Sequence, residues 1–590
     1  MMELTQSIFI ATLCLLNGPQ YENLDYVLSQ LAQAPTGAHI VVLPHMPFIE
    51  FETGNATATV RPFMDFARER GAYLALALTE KDGDRTYWSA ILVGPDGAVV
   101  GKYRKAHALI DDLVDGRPIS LGDSLPTFQT DLGPIAMTIG TDIYLPEVYE
   151  VMRMKGAELI TWHHYPERFR EHSTWEAILT ARCIDSHAHL VSSMYADEYT
   201  YLTNRYSLQT PGAVWGRSMI LSDVGVPLAD TGFDDGVAMA LVDMHKQKKD
   251  ISGSDPRVQS IFICGYHTDR KALAPVAEPY VKPTVPEYSK RTCRLAVGYF
   301  DPAEIWVNEK VPQTMLDVID MAAEIKPDLL LLSEQACSSA DKTTSEVMDA
   351  VAEKARQMNC YIAIGGIAGY GESSVCHVWD RQGNIVYHQP IYWPRGFDTL
   401  EVFDTDFGRV GSHTCGDLFT PLFDRVLALK GAEIIIDPSQ MWGGWGRSNE
   451  TMLRARAADN AAWLACAHWN TSDPSLRSVI IDPYGQVVAA SGFQRNGVVY
   501  YDIDLDDTRV YYAGAHENQP QKTESGYTVY RHGVFPEQRK GWREMIFAAR
   551  RPELYGIIPT VTDAIQRHRP ATTPYPLSDE ERSKLWRDEK

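Results

Sequence analysis

The chain has 590 residues, more than one compact domain holds, and its 45% hydrophobic and 22% charged residues are the balance of a globular protein with sizeable cores. A formal net charge of −22 leaves no basic stripe for phosphate, which excludes a nucleic-acid binder. The nine cysteines lack CxxC spacing, which argues against a zinc site or a disulfide framework and for a reducing, cytoplasmic setting. The apolar stretch at 7–16 has neither the basic flank nor the cleavage signal of a secretory leader, and it is too short to cross a bilayer. No membrane partner is therefore expected.

In chain order, Leu24, Val27, Leu28 and Leu31 fall at helical spacing and precede a strand-length apolar run, HIVVLPH, ending at His45. PDGAVVGKYRK (95–105) reads as a hairpin, and GPIAMTIGTDIYLPE (133–147) and KGAELIT (155–161) follow. TARCIDSHAHLV (180–191) and MILSDVG (219–225) come next. The same order then returns. A helix around Leu316, Ile319 and Ala323 leads into DLLLLSE, ending at Glu334, then RQGNIVYHQPI (381–391), GRVGSHTCGDLFTPL (408–422) and KGAEIII (430–436). RARAADNAAWLA (454–465) and VIIDPYG (479–485) complete the second series. Asp142 with Asp417, and Lys155 with Lys430, share one offset of 275, so the positions between them pair without a gap.

The chain is thus read as two tandem copies. The expected boundaries are 1–244 for copy one, 245–290 for a connector, 291–505 for copy two and 506–590 for a C-terminal extension. That extension either wraps a neighbour or ends in a disordered tail. Strands alternating with amphipathic helices, with hairpins inserted, predict an α/β (α+β) fold whose sheets are covered by helices on their outer faces.

These segments resemble the nitrilase, or carbon–nitrogen hydrolase, superfamily. That family shows a Glu after an apolar strand, a Lys after a GxxxGxYRK hairpin and a Cys in an elbow reading CxDxxxP. Copy two carries LLLLSE with Glu334 and TCGDLFTP with Cys415; copy one carries GKYRKAH with Lys105. RRPELY (550–555) looks like the family's C-terminal signature. The resemblance spans about 5–244 and 291–556. It implies two four-layer αββα sandwiches, packed as an internal pseudo-dimer through the helices after Pro146 and Pro421. Departures are equally plain. Copy one has His45 in place of the Glu and Gly140 in place of the Cys. Copy two has Ile391 where the Lys belongs, on the offset of 286 that also relates Gly97 to Gly383.

Hydrolysis of an amide or nitrile by a thiol needs a nucleophile, a base and positive groups where charge develops. Cys415 is the candidate nucleophile and Glu334 the candidate base. A helix start after Cys415 is expected to lower its thiol pKa, and Gly416 allows close backbone approach to an oxyanion. Cys14, Cys183, Cys264, Cys293, Cys360, Cys376 and Cys466 read as inert buried thiols. From Ile391 to Asp417 is 26 positions, against 37 from Lys105 to Asp142, so the pocket wall there is expected to be rebuilt. Arg395 either supplies the missing charge or is a solvated loop arginine. His413 either lines the pocket or is a hydrogen-bonded core histidine. Trp442, with Trp393 and Trp445, either forms an aromatic pocket or packs under a loop.

Copy one lacks a nucleophile, so Lys105 reads as a relic. Its His45, His107, His163 and His164 fit no metal motif, and no metal is expected. The expected function is hydrolysis of a nonpeptide C–N bond in a small amide, carbamoyl compound or nitrile. The alternatives are an inactive binding or assembly protein and a thiol-dependent acyltransferase. Neither a GxGxxG nor a P-loop motif is present, so no cofactor is expected. The expected partner is a small-molecule substrate, with room for homo-oligomerisation.

Overall fold

A computed structural model describes residues 6–16, 21–53, 59–108, 113–114, 117–165, 172–196, 216–244, 271–301, 311–334, 344–366, 375–390, 399–440, 446–469, 476–492, 495–506, 519–522, 528–531 and 542–560. The chain divides into two units, residues 1–247 with 509–555, and residues 248–508 with 556–590.

In the second unit, one six-stranded sheet runs in the order Ile385–Pro390, Val375–Trp379, Tyr361–Gly365, Leu329–Glu334, Thr292–Tyr299, Gly497–Asp504. The other runs Val402–Asp404, Arg409–Ser412, Ile434–Pro438, Trp463–Ala467, Val479–Ile481, Val487–Ala490. Leu329–Glu334 is buried along its whole length, as its unbroken apolar run requires of a parallel strand covered on both faces. Leu329 and Leu331 pack with Ile434, Ile436 and Ala465 of the other sheet. Leu330 and Leu332 point the opposite way, onto Met315, Val318, Ile319 and Ala322 of the helix Val311–Ala323. The helices Phe423–Leu429 and Gly446–Asn460 lie against the second sheet. The unit is therefore helix, sheet, sheet, helix. Truncating one of these central leucines to alanine removes transfer energy and leaves a cavity, about 2–5 kcal/mol.

The first unit repeats the plan. One sheet holds Gly236–Met244, Gln6–Leu16, Ile40–Glu52, Tyr73–Asp82, Arg85–Val93 and Val99–Arg104. The other holds Pro227–Asp230, Met219–Leu221, His189–Ser193, Leu159–His163, Gly133–Ile139 and Phe128–Thr130. Val27 and Leu31 of one helix and Phe63 and Ala67 of another cover Leu43, Leu74 and Leu76.

The registers make the repeat physical. Ile10, Ile40 and Tyr73 form one cross-strand row, and Leu295, Leu329 and Tyr361 form its counterpart. Both central strands lose regular pairing at matching positions, between Val42 and His45 and between Leu332 and Glu334. His45 then pairs with Ala77, and Glu334 with Gly365. The hairpins match as well: Val93 pairs with Val99 and Trp379 with Ile385, and Ser89 pairs with Arg104 and Val375 with Pro390. That registry matches Pro390 to Arg104, the residue before Lys105.

Candidate active site

The second unit brings two strand ends together. Leu329–Glu334 delivers Glu334, whose backbone oxygen accepts from Trp469 Nε1 at 3.0 Å. Arg409–Ser412 delivers the elbow at Thr414 and Cys415. Cys415 has φ of 51°. A side chain in that left-handed region costs about 1–2 kcal/mol, so the surroundings must enforce it. The enforcing contacts are local. Thr414 N donates to Asp417 Oδ2 at 3.3 Å, Asp417 N to Thr414 O at 3.0 Å, and Cys415 N to Asp437 Oδ1 at 2.9 Å.

The Glu334 carboxyl group and the Gln440 backbone N–H both lie close enough to act on the Cys415 sulfur. Cys415 is partly exposed, whereas Cys14, Cys183, Cys293, Cys360, Cys376 and Cys466 are buried. The thiol pKa is pushed well above its usual value, first by burial and then by the Glu334 charge, and the Gln440 N–H only partly offsets this. This corrects the expectation of a thiol acidified by a helix start. Cys415–Phe419 is a single five-residue 3₁₀ turn, and the α-helix begins only at Phe423. A turn that short aligns few peptide dipoles, while the carboxylate beside the sulfur opposes a second negative charge.

His413 proves to be a core histidine. Its Nδ1 is 2.6 Å from Asp424 Oδ1, and its Nε2 faces Asp437 Oδ2 at 3.5 Å, close enough for an ion pair but not aligned as a hydrogen bond. Burial opposes the charge on this ring, but the two carboxylates outweigh it and raise its pKa well above the usual value. The same pairing holds Asp437 below the ordinary carboxylate range against the opposing effect of its burial. Asp437 also accepts from Cys466 Sγ at 3.1 Å. Sequence reasoning missed Asp437 and Gln440 altogether. Their signal was positional: Asp437 lies in the strand after KGAE, the step with the firmest pairing between copies, and Gln440 just beyond it. Arg395, Trp393, Trp442, Trp445 and Ile391 lie outside the described residues.

The first unit keeps the elbow without the thiol. Gly140 has φ of 50° and opens the 3₁₀ turn Gly140–Tyr144, and Ile139 N donates to Asp142 Oδ2 at 2.9 Å. Trp162, at the position of Asp437, donates from Nε1 to Gly140 O at 2.8 Å. His45 is buried edge-on to Trp88, ring centroids 4.7 Å apart, and the buried Lys105 has its Nζ 5.0 Å from the Trp88 ring centroid. His163 is held by Leu43 O at 2.6 Å and Thr161 Oγ1 at 2.8 Å. His107 lies between Asp142, 3.1 Å from Nδ1, and the Tyr555 hydroxyl, 2.8 Å from Nε2. Arg550 Nε donates to Glu147 at 2.8 Å. The RRPELY segment thus braces the elbow of the first unit. Among the described residues no group of His, Cys, Asp and Glu is arranged to hold a metal ion.

The family model for carbon–nitrogen hydrolases matches residues 18–249 and again 301–513, together well over half of the chain. The human omega-amidase NIT2 is 25% identical over 246 residues, which cover 38% of this chain and 84% of that protein. The Xenopus tropicalis omega-amidase NIT2 is 27% identical over the same length and coverage. Among solved structures, Saccharomyces cerevisiae Nit3, a member of branch 10 of the nitrilase superfamily, aligns with 20% identity and a TM-score of 0.34, covering 40% of this chain and 90% of its own.

Proposed function

Because the chain belongs to the carbon–nitrogen hydrolase family and is an enzyme of that type, we propose that its second unit cleaves the C–N bond of a small amide through a covalent intermediate on Cys415. The Glu334 carboxyl group beside the Cys415 thiol, at an elbow held in a strained conformation, carries this reading. The thiol is kept protonated at rest, so the base must take its proton as the sulfur attacks. Glu334 acts on that thiol and is the carboxylate placed to take its proton.

In the first step the sulfur bonds to the amide carbon while Glu334 receives the thiol proton. The oxyanion that forms is met by the Gly416 backbone N–H and, in this reading, by the Arg395 guanidinium in place of the absent lysine. Collapse breaks the C–N bond. The nitrogen takes the proton from Glu334 and leaves as ammonia or an amine, with a thioester left on Cys415. Water then attacks that carbon as Glu334 accepts its proton. The carboxylic acid is released and the proton returns to the sulfur. Small amides are preferred to nitriles because curated relatives carry omega-amidase names. Incubation with matched amides and nitriles, scoring ammonia release and an acyl mass increment on the Cys415 peptide, tests the reading. Turnover without that increment, and unaffected by loss of Cys415, would refute it.

A further inference from the structure

The first unit has glycine at the elbow, but its core keeps two buried polar ring atoms without partners. His45 is 1% exposed and Trp88 6% exposed, yet neither His45 Nε2 nor Trp88 Nε1 has a hydrogen-bond partner. A buried indole N–H can only donate, and leaving it unpaired costs about 1–3 kcal/mol. Two such atoms on rings 4.7 Å apart are a joint cost that a bound acceptor would remove. The Lys105 Nζ, 5.0 Å from the Trp88 ring centroid, adds positive charge on the same wall. Among the described residues, His163 and His164 also act on His45. Tyr165 closes a further side, its ring 6.1 Å from that of His45, with its hydroxyl turned away to Glu22 at 3.0 Å.

We propose that the first unit is a binding site for a small carboxylate, seated between His45, Trp88 and Lys105, with no chemistry of its own. A carboxylate is planar, accepts from several donors and carries one charge, which matches one ammonium, one indole N–H and one imidazole. Burial and the neighbouring Lys105 keep the imidazole neutral, so His45 adds no second positive charge beside Lys105. The acid is also the class of compound that C–N hydrolysis releases. The binding claim stands without that link, because its evidence lies wholly in the first unit.

The test uses the full chain labelled with 15N at its tryptophan indoles, with the Trp88 resonance assigned by its loss in Trp88→Phe. Titration with acetate and with succinate should move the Trp88 N–H signal saturably, and acetamide or chloride at equal concentration should move it at least tenfold less. Lys105→Met should weaken the carboxylate response at least tenfold while the other indole signals and the melting temperature stay as in the parent. If Lys105→Met fails to fold, His45→Phe supplies the same comparison. Repeating the titration in Cys415→Ala separates this site from the reaction, and an unchanged response is expected there. An immobile Trp88 signal, or one that responds equally to acetamide or chloride, would overturn the proposal whether or not the second unit hydrolyses amides.

Discussion

The two units differ little in backbone and sharply in chemistry. Both elbows sit in the left-handed region, at φ of 50° for Gly140 and 51° for Cys415. Both central strands break register at the same place, at His45 and at Glu334. What separates them is a handful of side chains. The first unit holds Gly140, His45, Lys105 and Trp162, and the second Cys415, Glu334 and Asp437, with Ile391 where the lysine belongs by pairing. Hydrophobic burial and strand register preserve a scaffold, while the groups set upon it can change almost independently.

The largest effect that would break this contrast is loss of the nucleophile. Cys415→Ala should bring ammonia release down to background with the fold retained, as seen by circular dichroism. Residual turnover at the parent level would move the chemistry elsewhere.

Glu334→Gln should lower turnover by about 10²–10⁴, the usual contribution of a positioned base. It should also act on the thiol in the opposite sense. Burial raises the Cys415 pKa first and the Glu334 charge second, so removing that charge lets the thiol ionise at lower pH than in the parent. Alkylation by iodoacetamide at fixed pH should therefore quicken as turnover falls. A slower alkylation would mean that Glu334 does not act on the sulfur as a negative charge.

Acid sharpens the comparison next. Burial pushes His163 in the first unit down to about 4, and His468 in the second likewise. Their folded values lie below the unfolded value near 6.5, so their stabilisation is present above that pH and is lost as pH falls towards 4. Each contributes up to about 3 kcal/mol at the acid end. His45 in the first unit and His377 in the second add in the same direction. His413 shifts the opposite way, and among the described residues no histidine of the first unit is shown to shift with it. Its raised value gives stability that is full below 6.5 and is lost as pH rises. Between pH 7 and 4.5 the first unit should accordingly lose more protection. Hydrogen exchange followed by mass spectrometry, corrected for the intrinsic rate, reads this unit by unit; greater loss in the second unit would contradict the His413 assignment.

The smallest effect is at the empty elbow. Gly140→Cys places a side chain where φ is already that of Cys415, so the backbone need not move. The cost should be about 1–2 kcal/mol in denaturant unfolding. A much larger cost would mean that the first elbow is walled off by contacts the second lacks.

Much of this arrangement was legible in the residues. The offset of 275 between KGAE steps, the apolar run ending at Glu334 and the TCGD elbow all rest on local pattern, and local pattern survives projection onto one dimension. Sheets covered by helices followed from the order of strands and amphipathic helices, and the four layers from the family resemblance; Leu329 to Leu332 divide between two cores. The electrostatics did not follow. His413 and Asp424 are eleven positions apart, and Asp437 lies beyond the intervening helix, so the ion pairs appear only once Phe423–Leu429 folds back. The acidified thiol was expected from a helix start, and the structure has a 3₁₀ turn with a carboxylate beside it. Trp88 was overlooked because its neighbour His45 lies on a different strand, with Tyr73–Asp82 between them in the sheet.

The positive φ at Cys415 also bears on how such a pair of copies can change over time. A thiol at that position holds the chain in a conformation that glycine adopts freely. On the proposed mechanism, a substitution that discards the elbow thiol is therefore also one that relaxes the backbone, whereas regaining it must overcome the strain anew. Inactivation runs downhill in folding energy and reactivation uphill, so a duplicated hydrolase of this design tends to keep one working elbow and let the other settle on glycine.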